Sequence, residues 1–183
     1  MKEKKEVATS GYPTALRFYH PSGSGHGAAM RLEPRFSNSQ ENRYNCFFLE
    51  MAAQQTSLRH ARGKREHATF NWQDKLAVKL EFADICEMLV VLEGRAEKAG
   101  GSRGGLFHQS GNANTVITCQ KGEQDGYLIG LSRKNMETGQ TRRVHIVLRE
   151  AEAVGLRHVL QTSLFFLSFH QHLFGLWAAQ RHG

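Results

Sequence analysis

The sequence predicts an α+β fold of two four-stranded antiparallel sheets, each followed by a helix. Three observations carry that reading. The stretch Phe70–Gly94 (FNWQDKLAVKLEFADICEMLVVLEG) changes its period midway. Leu76, Val78 and Leu80 alternate with Lys75, Ala77 and Lys79, which describes a strand with one apolar and one basic face. From Glu81 onward Phe82, Ile85, Leu89 and Leu92 fall at helical spacing, with Glu81, Asp84 and Glu87 where the helix dipole favours negative charge. The same figure returns in Thr141–Leu148 (TRRVHIVL), where Val144, Ile146 and Leu148 oppose Arg143 and His145. That strand turns at Arg149–Glu150 into a second helical pattern carrying Val154, Leu156, Val159, Leu160 and Leu164. Finally, short alternating runs separated by glycine-bearing turns precede each junction, so the order reads four strands, helix, four strands, helix.

The elements follow in order. Residues 1–14 are charged and then Gly/Pro-bearing, and are expected to be disordered. Ala15–His20 alternates Leu16 and Phe18 against Arg17 and Tyr19, a first strand. Pro21–Gly27 is a glycine turn. Ala28–Phe36 sets Met30 and Leu32 inward and Arg31, Glu33 and Arg35 outward, and its Pro34 suggests an edge or a bulge. Arg43–Ala53 is apolar on both faces around Phe47–Leu49, as in a strand that is central or covered twice. Gln54–Ala68 is a polar, basic hairpin connection, and the fourth strand leads into a helix over about Phe82–Arg95.

Ala96–Gly105 (AEKAGGSRGG) is expected to be a flexible linker between halves 15–95 and 106–177 of one domain. The second half has strands beginning at Leu106, then Thr115–Gln120, Tyr127–Arg133 and Thr141–Leu148. Its helix runs over about Glu150–Gly175, roughly 37 Å long.

Composition narrows the function. Among 183 residues, Lys and Arg number 24 against 17 Asp and Glu, a formal charge of +7 that points to a polyanion. Cys46, Cys86 and Cys119 lie far apart without a CxxC pair, the pattern of reduced core thiols rather than of a disulfide or metal framework. MKEKKEV has no apolar h-region for secretion, and its acids suit an organellar presequence poorly. The greasiest run, Leu164–Trp177, is broken by Ser168, His170, Gln171 and His172 and is too short to span a bilayer.

Nothing in the chain assembles a nucleophile, a base and an orienter, so no catalytic residue, metal site or cofactor is expected. The segment Gly23–Gly27 (GSGHG) superficially matches a phosphate loop, yet it lies between two strands and has no helix behind it. His170 and His172, two apart on a helix, face different ways and make a poor metal pair. The stronger signal is the set of outward basic positions: Arg17, Tyr19, Arg31, Arg35, Lys75, Lys79, Arg143 and His145, with Lys134 at a strand end. Lys and Arg neutralise phosphates and Tyr19 offers a ring for stacking, so these nine residues are the expected nucleic-acid contacts. The final helix is apolar around most of its circumference, which predicts self-association through Leu164, Phe165, Phe166, Phe169 and Phe174.

With these elements placed, the chain resembles the Whirly-type family of single-stranded nucleic-acid binders. Ala28–Pro34 (AAMRLEP) is similar to the family's A-A-L-S-V-E-P strand. Trp72, Lys75, Leu80 and Asp84 resemble its W-x-x-K…L…E stretch, and Gly126–Ser132 (GYLIGLS) its G-Y-F-I-S-L-S strand. Plant members carry K-G-K ahead of A-A-L, where this chain has Gly25, His26 and Gly27. That departure, with the stretches Arg17–Pro21 and Tyr44–Glu50, points to the kinetoplastid mitochondrial guide-RNA-binding branch. The resemblance implies two crossed sheets with helices behind and a tetramer, of one subunit or with a paralogous partner, joined through the helices. It further implies sequence-independent RNA backbone contacts, annealing of guide RNA to pre-mRNA in uridine insertion/deletion editing, and location in the mitochondrial matrix. The plant branch implies instead a single-stranded-DNA-binding regulator of transcription or a genome-protection protein.

Overall fold

The structure is a computed structural model that describes residues 15–35, 45–57, 59–61, 64–122 and 126–179, with the backbone alone in 59–61, 64–66 and 170–179. The expected N-terminal segment 1–14 lies outside the described residues. The strands are β1 (Leu16–His20), β2 (Ala28–Arg35), β3 (Cys46–Ala53), β4 (Arg59–Ala61), β5 (Lys64–Glu66), β6 (Leu76–Leu80), β7 (Leu106–Ser110), β8 (Ala113–Lys121), β9 (Tyr127–Asn135) and β10 (Thr141–Leu148); the helices are α1 (Phe82–Leu92) and α2 (Glu150–Ala179). Two four-stranded antiparallel sheets result, ordered β1-β2-β3-β6 and β10-β9-β8-β7, each running into a helix. The expected hairpin in 54–68 contains the small β4–β5 pair.

Alternation decides which side of each strand is buried. In β10 Val144, Ile146 and Leu148 are buried while Arg143, His145 and Val147 are exposed. β6 behaves alike, with Leu76, Val78 and Leu80 buried. These residues join Met30, Leu32, Leu49, Met51, Ile117, Ile129 and Leu131 in one core that also takes Ile85 and Met88 from α1 and Leu156 and Leu160 from α2. β10 packs on β2 and β3, β9 meets β6, and α1 packs on α2. β3 is central, as its two apolar faces predict. β2 is interior rather than an edge, and Pro34 is tolerated because β1 begins at Leu16, opposite Leu32. Pro34 therefore pairs with Phe47 of β3 and has no β1 residue beside it.

Both helices begin in one way. The Glu81 amide donates to Asp84 Oδ2 at 2.8 Å, and the Arg149 amide to Glu152 Oε2 at 2.9 Å. Each acid thus satisfies a backbone N–H at a helix start, where its charge also suits the dipole. Each also meets a histidine from the opposite half: His108 lies 3.0 Å from Asp84, and His20 lies 2.8 Å from Glu152. α1 stops at Leu92, three residues before the expected Arg95, where Gly94 adopts φ 72° and its amide bonds the Val91 carbonyl. α2 runs on past Gly175 to Ala179.

The joining segment 96–105 sits where the sequence placed it, but it is not slack. Its Lys98 bridges Gln120, the Ala99 amide donates to the Cys119 carbonyl at 2.8 Å, and Ala99 is buried. Pairing with β8 supplies the backbone partners that a free Gly-rich linker would take from water.

Candidate nucleic-acid interface

The first sheet turns Arg17 and Tyr19 (β1), Arg31, Glu33 and Arg35 (β2), Phe48 and Glu50 (β3), and Ala77 and Lys79 (β6) away from the core. The register places Arg17 opposite Arg31, Arg31 opposite Glu50, and Phe48 opposite Lys79. With Lys75, which precedes β6 and reaches Glu50, five of the expected cations and Tyr19 therefore share one surface. Lys134, Arg143 and His145 lie on the outer face of the second sheet, so the expected set is split between two sheets. Alternation tells outward from inward but not which sheet a strand joins.

The centre of the first face is acidic. Glu50 is buried, and it accepts from Arg31 Nε at 2.8 Å and from a second guanidinium nitrogen, while Lys75 Nζ lies 2.7 Å from its other oxygen. Burial pushes the Glu50 carboxyl up, but the bonds from Lys75 and Arg31 outweigh it and hold the group below its usual value. Arg31 and Lys75 thus fix an internal charge, and their share in binding a polyanion is reduced. Arg35 is exposed and pairs with the largely buried Glu33 at 3.0 Å, while the half-buried Lys79 pairs with the exposed Glu81 at 3.0 Å; partly solvated pairs of this kind are worth less than the buried triad at Glu50. Sequence reading missed Glu50, although its place between Arg31 and Lys75 in the strand order follows from the pairing.

Aromatic rings lie among these charges. Tyr19, 48% exposed, stands 5.5 Å from Phe70 and 6.4 Å edge-on from Trp72. The Arg31 guanidinium lies 5.1 Å over the Trp72 ring, and that of Arg35 lies 6.0 Å over Phe48. This mixture of cations and ring faces suits a single strand, whose phosphates and bases it can take up separately.

The two faces meet along a seam. Arg133 donates to Thr115 Oγ1 at 3.1 Å and to the Ala77 carbonyl on β6. Arg142, its cross-strand partner, holds the Asp74 carboxylate at 2.7 Å and the Asp74 carbonyl. Lys75 and Arg143, the next residues along the chain, therefore flank one junction. Arg133 and Arg142 are structural cations that hold sheet to sheet.

Other candidates resolve simply. In the Gly23–Gly27 turn the Gly27 amide donates to Gln54 Oε1 at 3.0 Å, which also accepts from Ser22 N at 2.8 Å, and the Gly25 amide donates to the Ser22 carbonyl at 3.1 Å. Cys46 and Cys119 are buried and free, and burial pushes the Cys119 thiol up to about 12. Burial likewise raises Cys46 and Cys86. Among the described residues no group of three or more His, Cys, Asp or Glu could hold a metal, and no helix is long and apolar enough to cross a membrane. The side chains of His170 and His172 lie outside the described residues.

The final helix is greasy on two sides. Ala153, Leu156 and Leu160 are buried in the core, and Leu164 is half-buried against it. Phe165 (54% exposed), Phe166 and Phe169 (50%) form an exposed ring cluster, with Phe165 5.9 Å from Phe166 and 5.3 Å from Phe169. Phe82 is exposed as well, beside a groove of about 490 Å³ between the start of α1 and Leu167–Ser168. The Phe174 side chain lies outside the described residues.

Neither a family model nor a curated protein sequence matches the chain. Solved structures do. WHY1 from Arabidopsis thaliana superposes with a TM-score of 0.67 at 18% identity, over 95% of this chain and 96% of that one. A guide-RNA-binding protein complex bound to a guide RNA matches with a TM-score of 0.55 at 19% identity, over 88% and 96%. Trypanosoma brucei MRP1/MRP2 matches with 0.53 at 20% identity, over 85% of each chain. These likenesses span nearly the whole strand and helix order derived above, and the chain has the Whirly fold.

Proposed function

We propose that the chain is a sequence-independent binder of single-stranded RNA that holds guide RNA by its backbone. It promotes annealing to pre-mRNA in uridine insertion/deletion editing, in the mitochondrial matrix. The observation that carries this reading is the outer face of the first sheet, where the Tyr19–Phe70–Trp72 ring cluster lies at one end, Arg17 and Arg31 at the middle and Arg35 and Lys79 towards the other end. Likeness to a guide-RNA-bound complex supports it. Backbone binding leaves most bases turned to solvent, so a complementary strand can pair without displacing protein. The exposed phenylalanines of α2 support assembly into a tetramer, with itself or with a paralogous subunit. Binding titrations of guide-type RNA, single-stranded DNA and duplex at several salt concentrations test the reading. Preference for single-stranded RNA with a steep salt dependence is expected; equal binding of duplex would contradict it.

A second reading is a single-stranded-DNA-binding transcriptional regulator or genome-protection protein of the plant type. The higher TM-score to WHY1 favours it. Against it stands the turn before β2, where Gly25, His26 and Gly27 replace the plant K-G-K and Gln54 ties up the amides of Ser22 and Gly27. Tighter binding of single-stranded DNA than of RNA in the same titrations would favour this second reading.

A further inference from the structure

The expected contacts that lie off the first sheet form a set of their own. Lys134, Arg143 and His145 are all exposed on the outer face of the second sheet. Arg143 stands opposite Ser132, so Lys134, two residues further along β9, is its diagonal neighbour at roughly 7–8 Å. His145 follows on the same side of β10 after two residue rises, roughly 7 Å. The three make one row, whose step is of the order of that between successive phosphates of an extended strand.

This row differs from the first face in having no acid beside it. None of the outward positions on β7–β10 holds Asp or Glu. Among the described residues neither Lys134 nor Arg143 has an ion pair, and Glu137, on the turn after β9, bonds Asn112 instead. On the first sheet Arg31, Arg35, Lys75 and Lys79 each meet a carboxylate. A phosphate chain laid on the second face releases its counterions and displaces no carboxylate. Between the two faces lies Asp74, its side chain 62% exposed beside Arg142. Its negative charge repels a phosphate backbone that runs along the seam and leaves the ground on either side open.

We propose that this row is a second track for single-stranded RNA, which holds the strand to be paired with the one on the first sheet. The inference rests on the RNA-binding reading above. The first face adds the Tyr19–Phe70–Trp72 rings and keeps the tighter strand. The second offers phosphate contacts, so its strand is held without regard to sequence and its bases stay free to pair. Lys75 and Arg143 flank the same seam, so two strands lie side by side, and the cations beneath them offset their mutual repulsion.

The test counts bound strands per full chain at low salt with an oligouridylate of about eight nucleotides, within the site sizes of single-strand grooves. Wild type should take up two. Lys134→Ala with Arg143→Ala should take up one, at the wild-type affinity of the tighter site, whereas Arg35→Ala with Lys79→Ala should weaken that tighter site. The first double variant should also anneal two complementary RNAs about ten-fold more slowly, the low end of rate gains from charge steering. Arg143→Ala with His145→Ala carries the test if that variant fails to fold by circular dichroism. One strand per wild-type chain would overturn the second track, and its weakening by variants of both faces would mark a single strand crossing the seam. Two strands on a folded second-face variant, or annealing unchanged after the second strand is lost, would overturn it as well. Wild type that binds no oligouridylate would overturn the RNA-binding reading itself.

Discussion

His20 Nε2 lies 2.8 Å from Glu152 Oε1, tying the last residue of the first strand to the first turn of the last helix. Glu152 also accepts from the Arg149 amide, so one carboxylate both starts α2 and joins it to β1. Burial pushes that carboxyl up, but the bonds from Arg149 and His20 prevail and hold it below its ordinary value. Glu50 is lowered in the same way. A carboxylate with a depressed folded value contributes stability that is complete above its unfolded value, about 4.3, and is lost as pH falls through the folded one. Thermal midpoints should therefore be insensitive to these two groups between pH 5 and 7 and fall below about pH 4. Glu152→Gln should lower the midpoint at neutral pH and flatten the acid limb, which a pH series by calorimetry reads.

Glu50 makes a less intuitive prediction. Removing it leaves Arg31 and Lys75 without their shared partner, which should cost about 1–3 kcal/mol by denaturant unfolding. The same change removes a negative charge from the binding face and releases two cations. Glu50→Ala should be less stable and yet bind single-stranded RNA more tightly at moderate salt. Weaker binding by a folded Glu50→Ala protein would show that the triad positions the site and does not restrain it.

Arg133 joins the sheets through the Ala77 carbonyl and Thr115. Arg133→Met keeps much of the bulk and loses both bonds, one of them satisfying a carbonyl on the edge strand of the first sheet. A loss of about 2 kcal/mol in unfolding free energy is expected, since hydrogen bonds from charged groups are worth roughly 1.5–3 kcal/mol. RNA affinity at temperatures well below the midpoint should not change, because this guanidinium is engaged in the seam.

Much of this arrangement was legible in the residues. The change of period at Leu80–Phe82 and again at Leu148–Glu150 marked both junctions, because side-chain direction follows directly from backbone repeat. The central place of β3 followed from its two apolar faces. What could not be read was pairing across sequence distance. Nothing local to Glu50 marks it; only β2 and β6 on either side bring Arg31 and Lys75 to its carboxylate. The seam roles of Arg133 and Arg142 depend on the second sheet lying against Ala77 and Asp74, which no local pattern shows. Leu164 and Phe165 are neighbours of similar chemistry, and only the position of the core separates the half-buried one from the exposed one. Residues 96–105 have a linker's composition, but β8 presents backbone groups to pair with them.

The exposed cluster Phe165, Phe166 and Phe169 yields a direct prediction about assembly. Buried aromatic side chains dominate association energies, and charge placed among them opposes closure. If the chain assembles as proposed, Phe165→Glu with Phe169→Glu should reduce its mass in light scattering while the circular dichroism spectrum is kept. An unchanged mass would place the interface elsewhere.

On the proposed reading RNA phosphates lie on the outer face of the first sheet, on cations outside the buried Glu50 triad, above all Arg35 and Lys79. The most direct measurement is the salt dependence of binding to single-stranded RNA for wild type and for Arg35→Ala with Lys79→Ala. Each lost phosphate contact removes about 0.7 from the slope of log affinity against log salt. The double variant should therefore bind all RNA sequences more weakly and show a slope shallower by about 1.4. Unchanged affinity and an unchanged slope in a correctly folded double variant would contradict the account.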